Sequence, residues 1–364
     1  MASEAEPEQL AEPGHTSELV TPRPTDEPLT PNSSPSVGAT PFGATLAPAL
    51  QDVCGGKLSK INWFRTQWQR GGALTGYATW DESGAEIRVV VKLPVPPRER
   101  RWLVALQEMP AGVTPVAPKV YAHGSELGGY DFTWVIMERL AYGPLDHAWG
   151  GREFDLVADA AGRFYAATAY VPIDPAWKPR HRDWPQIIGR ARKHVQDRGV
   201  HESQRWKAAL KRANKQLDRW TARWHDRGRD DWCHGDLHLG NALSHVAPPP
   251  ADPLEGARPP EGQNHPNDTA RLIDLAEVRV GHWIEDAVYL EHLYWSARHR
   301  LGGRKIVSMI ARERKRRGLS VSADWPELAK VKRLLLAIAT ATRLHEVTVG
   351  HAEAALAILE AEVG

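Results

Sequence analysis

The stretch "WCHGDLHLGNALSH", Trp232 to His245, places His234, Asp236, His238 and Asn241 within eight residues. Gly235 and Gly240 flank its second internal histidine, which indicates a loop rather than a helix. A loop that carries carboxylate, amide and imidazole groups can hold a metal ion or supply a base to a reaction. The segment therefore predicts a functional loop whose chemistry the rest of the chain must define.

A zinc site is one interpretation of this loop. His234 and His238 lie four residues apart, as two zinc ligands on one face of a helix would. The glycines argue against that helix, and no Glu follows His234 as in the metalloprotease motif. The sequence offers no obvious third ligand, so this interpretation explains few of the residues.

Phosphoryl transfer is a second interpretation and explains more of them. Asp236 and Asn241 lie five residues apart on a loop that leads into a short predicted strand, and Asp274 follows in a second strand, "RLIDLAEV". Enzymes of the protein-kinase-like fold use this order: a loop Asp that accepts the hydroxyl proton, then an Asn and an Asp that hold metal. Mg²⁺ prefers oxygen ligands, which Asn and Asp supply. The acceptor hydroxyl needs a carboxylate within hydrogen-bond reach.

Two motifs resemble one family. "HGDLHLGN" resembles the catalytic loop of the aminoglycoside phosphotransferase family, which also includes choline-, homoserine- and fructosamine-kinase-like enzymes. "LIDLAEVRVGHWIEDAVYL" resembles its metal-binding strand and the Gly-x-x-x-x-Asp start of the next helix, with Gly281 and Asp286 in those places. The resemblance spans about residues 57–350. It implies an α+β, two-lobed protein-kinase-like fold with a small antiparallel-sheet N-lobe and a larger, mainly helical C-lobe.

The resemblance also implies nucleotide-holding residues in the N-lobe. Lys92, near the end of "EIRVVVKLPV", would hold the α- and β-phosphates, and Glu99 would pair with it, with Glu108 as the competing partner. The segment "QRGGALTGYATW" would form a turn over the phosphates, and a plain hairpin turn is the alternative. Its glycines would let the backbone approach closely: Gly71, Gly72 and Gly76.

Further residues take supporting roles in the same pattern. The backbone of Glu138 and Leu140, in "VIMERL", would hydrogen-bond the adenine edge, although an ordinary strand end needs the same residues. Asp286 would bind the backbone of the catalytic loop and support it. His234 would brace the loop, and His238 would hold the loop or neutralise phosphate charge.

Composition predicts an organised globular protein with two irregular segments. The chain has 364 residues, a net charge of +1 and 42% hydrophobic residues. Residues 1–46 form an acidic Pro/Ser/Thr-rich tail that we expect to be disordered. Residues 47–140 would form the N-lobe, with strands in "GYATW", "EIRVVVKLPV" and "DFTWVIMERL". Residues 141–364 would form the helical C-lobe, interrupted by a Pro-rich insert at 247–268.

Several features favour a cytoplasmic protein without a membrane segment. The chain has two cysteines, Cys54 and Cys233, too few for a disulfide framework. Its start lacks the basic and apolar regions of a signal peptide, and "LLLAIATA" is too short to span a bilayer. The sequence sets no oligomeric state.

The predicted activity is a small-molecule kinase that uses ATP, or GTP in its place, with Mg²⁺ to phosphorylate a hydroxyl group. A non-catalytic nucleotide-binding or scaffold protein on the same fold is one alternative. A nucleic-acid-associated protein that uses basic runs such as "RERKRRG" is another, but no aromatic-basic motif accompanies that run, and a solvated helix face explains it better.

The acceptor is defined only in outline. Residues 151–246 hold eighteen Lys/Arg against twelve Asp/Glu, a balance that disfavours a polycationic acceptor such as an aminoglycoside. Local acids could still line a pocket: Glu277, Glu285 and Glu291. An aromatic cage for a quaternary ammonium group is a further alternative, with three candidates: Trp283, Tyr294 and Trp295.

Overall fold

The computed structural model describes residues 41–64, 73–108, 114–146, 152–174, 182–245 and 269–363. Most of the predicted tail (residues 1–40), the insert at 247–268, and Gly71 with Gly72 lie outside the described residues. Helix α1, Pro41–Val53, begins inside the predicted tail, so the predicted boundary at residue 46 was wrong. The reason is packing: Leu50 is buried and Leu46 half-buried against the N-lobe sheet.

The N-lobe contains a five-stranded antiparallel sheet in the order β1-β2-β3-β5-β4. Its strands are β1 Leu58–Phe64, β2 Leu74–Glu82, β3 Ala85–Leu93, β4 Val120–Gly124 and β5 Trp134–Glu138. The sequence patterns predicted β2, β3 and β5, and these are confirmed. The strands β1 and β4 did not emerge from the sequence patterns.

Alternation along β2 and β3 builds the sheet's core. Val89, Val91 and Leu93 are fully buried while the residues between them are half-buried, as the two-residue period of a strand requires. Ser83 and Gly84 turn the chain between the two strands with φ of 58° and 90°. The left-handed conformation at both positions suits the twist of a tight hairpin.

Helix α2, Pro97–Ala105, connects the sheet to the C-lobe. Its residues Trp102 and Leu103 are buried in the same hydrophobic core as the C-lobe helices. The Trp102 ring meets Trp232 edge-on, with 4.8 Å between ring centroids. Helix α2 therefore belongs to the N-lobe by chain order and to the C-lobe by packing.

The C-lobe is mainly helical, which confirms the prediction. Its helices are α3 Glu153–Thr168, α4 Trp184–Asp197, α5 Ser203–His225, α6 Ile284–His292, α7 Ile306–Arg316, α8 Trp325–Thr340 and α9 Val349–Val363. The apolar residues of α5 that recur at helical spacing are all buried: Trp206, Leu210, Leu217, Trp220 and Trp224. None of the described helices is long and apolar enough to cross a membrane.

Two short antiparallel ladders position the site. Strand β6, Asp231–Cys233, pairs with β9, Arg279–Gly281, and β7, Ala242–Leu243, pairs with β8, Arg271–Leu272. The loop of residues 234–241 therefore lies beside the segment of residues 273–278. Helix α2 packs on the 3₁₀ turn Leu275–Glu277 in that segment, which brings the N-lobe to the same place.

Candidate active site

Asp286 anchors the loop of residues 234–241. Its carboxylate is 1% exposed, and its Oδ2 accepts from the backbone N–H of His234 at 2.8 Å and its Oδ1 from that of Gly235 at 2.9 Å. The Tyr165 hydroxyl donates to Oδ2 at 3.0 Å. Gly235 has φ of +88°, and a Cβ there would collide with the backbone of Glu277. Asp286 thus contacts the backbone of this loop at two consecutive amides.

His234 connects the loop to the neighbouring segment. Its Nδ1 accepts from the backbone N–H of Asp236 at 3.3 Å, so its Nε2 carries the proton and donates to the Ile273 carbonyl at 3.1 Å. Burial lowers the pKa of this imidazole, which keeps it neutral. These contacts agree with the predicted bracing role of His234.

Asp236 lies in a nest of hydrogen-bond donors. The Tyr289 hydroxyl donates to its Oδ1 at 2.7 Å, and Asn241 Nδ2 donates to its Oδ2 at 3.0 Å. His238 Nε2 is 3.5 Å from the same Oδ2. Burial alone would raise the pKa of Asp236, but the contacts with His238 and Tyr289 outweigh it and hold that pKa well below its usual range. The carboxylate is therefore ionised throughout the neutral range.

His238 braces the loop from within. Its Nδ1 accepts from the backbone N–H of Gly240 at 3.0 Å, so its Nε2–H faces Asp236. Both candidate zinc histidines are thus engaged in hydrogen bonds. Among the described residues, no group of three or more His, Cys, Asp or Glu side chains could hold a metal ion. The site gives the zinc interpretation no support.

Asn241 and Asp274 form the candidate magnesium site. Asn241 uses its Nδ2 for hydrogen bonds to Asp236, which leaves its Oδ1 on the other side of the amide group. Asp274 follows β8 with φ of 58°, a left-handed conformation that is uncommon for a residue other than glycine. The Asn241 carbonyl accepts from the Ile273 N–H at 3.0 Å, so the two residues belong to adjoining backbone segments. An amide oxygen and a carboxylate fit Mg²⁺.

Lys92 and Glu99 come together as predicted. Lys92 Nζ, on β3, lies 2.7 Å and 2.9 Å from the two carboxylate oxygens of Glu99, on α2. Burial raises the pKa of Glu99; Lys92 opposes the rise and the negative charge of Asp274 adds to it. The competing residue, Glu108, is exposed beyond the end of α2.

Gly76 does not lie in a turn, so that prediction was wrong. It is the third residue of β2 and pairs with Val91 of β3 and Trp63 of β1. A Cβ at Gly76 would come within 2.9 Å of the Trp63 ring. Close packing of the sheet, rather than approach to a phosphate, explains this glycine.

Glu138 ends β5 where the chain leaves the sheet. Its backbone N–H donates to the Lys119 carbonyl at 2.7 Å, so this amide is not available to a base. The chain continues through the buried Leu140 to Tyr142, whose backbone exchanges hydrogen bonds of 2.9 Å and 2.7 Å with Ser244. The segment between the lobes is therefore hydrogen-bonded to the residues that follow the loop of residues 234–241.

Tyr289 and Tyr165 are site residues that the sequence patterns did not indicate. Tyr289 lies three residues after Asp286 on α6 and thus shares a face with it. That spacing was the one signal that could have placed Tyr289 beside the loop. Tyr165 lies on α3, 121 positions before Asp286, and no local pattern connects the two.

The antiparallel N-lobe sheet, the helical C-lobe and the Asp236 loop define a phosphotransferase of the protein-kinase-like fold. The family model described as "Phosphotransferase enzyme family" (APH) matches residues 70–252, which are 183 of the 364 residues. The match covers β2 to β7 and includes the whole loop. The chain belongs to this family.

The chain is similar to the solved structures of two aminoglycoside phosphotransferases and of one protein described as a putative aminoglycoside phosphotransferase. A Ralstonia eutropha protein is 14% identical, with a TM-score of 0.49 over 87% of this chain and 97% of its own. APH(4)-Ia is 15% identical, with a TM-score of 0.48 over 88% and 98%. The protein from Alicyclobacillus acidocaldarius is 15% identical, with a TM-score of 0.47 over 84% and 93%. No curated protein sequence matches the chain.

Proposed function

We propose that the protein transfers the γ-phosphate of ATP, or of GTP in its place, to a hydroxyl group of a small molecule. The observation that carries this proposal is the placement of Asp236: a carboxylate held by Tyr289 and Asn241 on a loop whose backbone is fixed by Asp286. Membership of the phosphotransferase family supports it.

Asp236 would orient the acceptor hydroxyl and take its proton at a carboxylate oxygen. A carboxylate offers about four acceptor sites, so Asp236 can receive one more donor beside Tyr289 and Asn241. Its low pKa makes it a weak base toward an intact alcohol. In a loose transition state the proton leaves late, so orientation of the hydroxyl contributes more than early deprotonation.

Lys92 would bind the α- and β-phosphates, held by Glu99. The carbonyl of Glu138 and the amide of Leu140 are the groups that we propose for the adenine edge, since the Glu138 amide is already used. Asn241 and Asp274 would hold Mg²⁺, which supplies positive charge to the phosphate oxygens when bound.

The short chain segment after Asp274 favours a small acceptor over a protein side chain. Eleven residues separate Asp274 from Asp286, and they contain a 3₁₀ turn and β9 before α6 begins at Ile284. Protein kinases dock peptides on a long activation segment at this position. No such platform fits between these elements, so the C-lobe helices would recognise a compact ligand.

Two substitutions test the proposal. Asp236→Asn should keep Mg-ATP binding and lower turnover by about 10²-fold or more, because it removes the proton acceptor and keeps the metal site. Asp274→Ala should also weaken Mg-dependent nucleotide binding. Turnover is measured as substrate-dependent ADP release over a panel of hydroxylated metabolites and antibiotics, and binding by titration calorimetry.

Asp218→Asn is the matched control, because this exposed residue on α5 makes the same chemical change away from the loop. It should behave as the unsubstituted protein does. If Asp236→Asn and Asp274→Ala also bound Mg-ATP and turned over normally, the assignment of both residues would be wrong.

A further inference from the structure

One face of α6 borders the place where the acceptor hydroxyl must bind. Glu285, Tyr289 and His292 recur at i, i+4 and i+7 and so point to the same side of the helix. Tyr289 contacts Asp236 on this face at 2.7 Å. The charges near Glu285 and Tyr289 therefore bear on the chemical class of the acceptor, an inference that rests on the proposed kinase function.

The acid on this face is already neutralised. Glu285 Oε1 accepts from Arg227 Nη2 at 2.8 Å, and Glu285 Oε2 lies 3.6 Å from Arg279 Nη2. Burial would raise the pKa of Glu285, but Lys332, Arg227 and Arg279 outweigh it and lower that pKa to about 2. Glu285 is therefore not free to bind a cationic acceptor.

The cations around Glu285 outnumber it. Burial lowers the pKa of Lys332 to about 8; Glu285 opposes that fall, while Arg182, Arg279 and Arg227 add to it by repulsion. The Trp224 ring stabilises two of these positive charges by cation–π contacts. The Arg227 guanidinium lies 3.8 Å from its centroid, and Lys332 Nζ lies 5.1 Å from it. Arg227 and Arg279 thus both lie against the Glu285 carboxylate, and Arg279 is also stabilised by the negative charges of Asp286 and Glu277.

Arg279 carries this positive charge to the catalytic loop. Arg279 pairs with Cys233 across the β6–β9 ladder. Its Nη1 lies so close to Gly235 that a Cβ on that glycine would collide with it. Its side chain remains 40% exposed, so the guanidinium can meet a ligand from solvent. Burial and Asp236 raise the pKa of Tyr289, and the charge of Arg279 opposes that rise. Arg279 is therefore within electrostatic reach of the hydroxyl that contacts Asp236.

We propose that the acceptor carries an anionic group, a carboxylate or a phosphate monoester, that binds beside Arg279 and Lys332 while its hydroxyl reaches Asp236. Arg279 presents a partly exposed guanidinium beside Gly235 of the loop, and guanidinium matches both oxyanions in bidentate geometry. A cationic amino sugar would be repelled by this charge.

Glu291 and two of the cage candidates, which could favour a cation instead, are engaged elsewhere. Glu291 binds Arg333 through both oxygens, at 2.6 Å and 2.8 Å. The proposed cage residues Trp283 and Trp295 are buried, and the Arg314 guanidinium lies 5.6 Å from the Trp283 ring centroid. A quaternary ammonium group has no open aromatic cage among these two rings.

Fractionation of a metabolite extract by charge tests the inference. A deproteinised extract is divided into anion-exchange-retained, cation-exchange-retained and unretained fractions, and each is assayed for ADP release by the full-length protein. We expect the acceptor in the anion-exchange fraction. Treatment of that fraction with phosphatase, which is then removed, abolishes activity for a phosphate monoester and preserves it for a carboxylate. Acceptor activity confined to the other two fractions would overturn the inference and leave the kinase function standing.

Variants give the second readout. Arg279→Gln should raise the KM for the active fraction about tenfold or more, with the KM for Mg-ATP within twofold, as expected for loss of a charge-assisted contact. Lys332→Met should also raise the KM for the active fraction. It tests the inference if the Arg279 variant folds poorly. Arg205→Gln is the control, since this arginine pairs with Glu360 on the exposed α5–α9 surface.

An unchanged acceptor KM in both variants would refute the anionic class. Loss of Mg-ATP binding by the unsubstituted protein would instead contradict the proposed function itself, so calorimetric nucleotide binding separates the two failures.

Discussion

Truncation of Asp286 should be among the most damaging single changes in the described chain. Its buried carboxylate accepts from two backbone N–H groups, of His234 and Gly235, and from the Tyr165 hydroxyl. Asp286→Ala leaves three buried donors without an acceptor. At about 1–3 kcal/mol each, these amount to about 3–9 kcal/mol before relaxation. After relaxation of the loop we expect a loss of about 3–5 kcal/mol in the free energy of unfolding. This is a large part of the net stability of a domain, about 5–15 kcal/mol, and the loop should become disordered.

Two further variants separate the contributions. Asp286→Asn keeps one acceptor oxygen but directs an amide group at the remaining donors, so it should fall between the wild type and Asp286→Ala. Tyr165→Phe removes one donor and leaves the carboxylate with its two backbone contacts, at a cost of about 1 kcal/mol. The order of stability should therefore be wild type, Tyr165→Phe, Asp286→Asn, Asp286→Ala.

Urea unfolding followed by tryptophan fluorescence measures the free energy of unfolding of all four proteins. Turnover at a temperature where each remains folded shows whether the loop still holds Asp236. The reasoning fails if Asp286→Ala costs less than about 1 kcal/mol, or if Tyr165→Phe costs as much as Asp286→Ala.

Three other outcomes are expected. Glu99→Gln should raise the KM for Mg-ATP about tenfold by freeing Lys92, and an unchanged KM would contradict that role. Tyr289→Phe should move the acid limb of the pH–rate profile upward, since it removes a donor that lowers the pKa of Asp236; an unmoved limb would count against it. Burial lowers the pKa of His351 to about 4. Below pH 6.5 this histidine is therefore protonated in the unfolded chain and stays neutral in the folded one. The contribution of His351 to stability should therefore fall by about 2 kcal/mol from pH 7.5 to 5, and urea unfolding of His351→Gln should show a smaller fall than the unsubstituted protein.

The sequence predicted those parts of the site that short motifs define. The loop with Asp236 and Asn241 is local, so its residue types and spacing reveal its chemistry. The contact between Lys92 and Glu99, seven residues apart, was expected from the resemblance to the family, which in turn rests on the short motifs of the C-lobe. In each case, the information lies within a few residues.

The remainder depends on partners far along the chain. The strand β4 has half-buried residues without alternation, and it is a strand because β5 pairs with it. Gly76 was assigned to a turn because its steric partner, Trp63, lies on another strand. The contact between Tyr165 and Asp286 joins two helices, α3 and α6. Local patterns do not encode such contacts.

The position of α2 between the lobes has a consequence for control of the proposed enzyme. Protein kinases switch on by moving the corresponding helix, which makes or breaks its Lys–Glu ion pair. Here the face of α2 that carries Trp102 and Leu103 is built into the C-lobe core, and the same helix packs on the turn Leu275–Glu277. To swing Glu99 away from Lys92, the chain would have to withdraw two large side chains from that core, at about 1.5–3 kcal/mol each. The Lys92–Glu99 ion pair is thus assembled on folding, and displacement of α2 would cost about 3–6 kcal/mol of buried apolar surface.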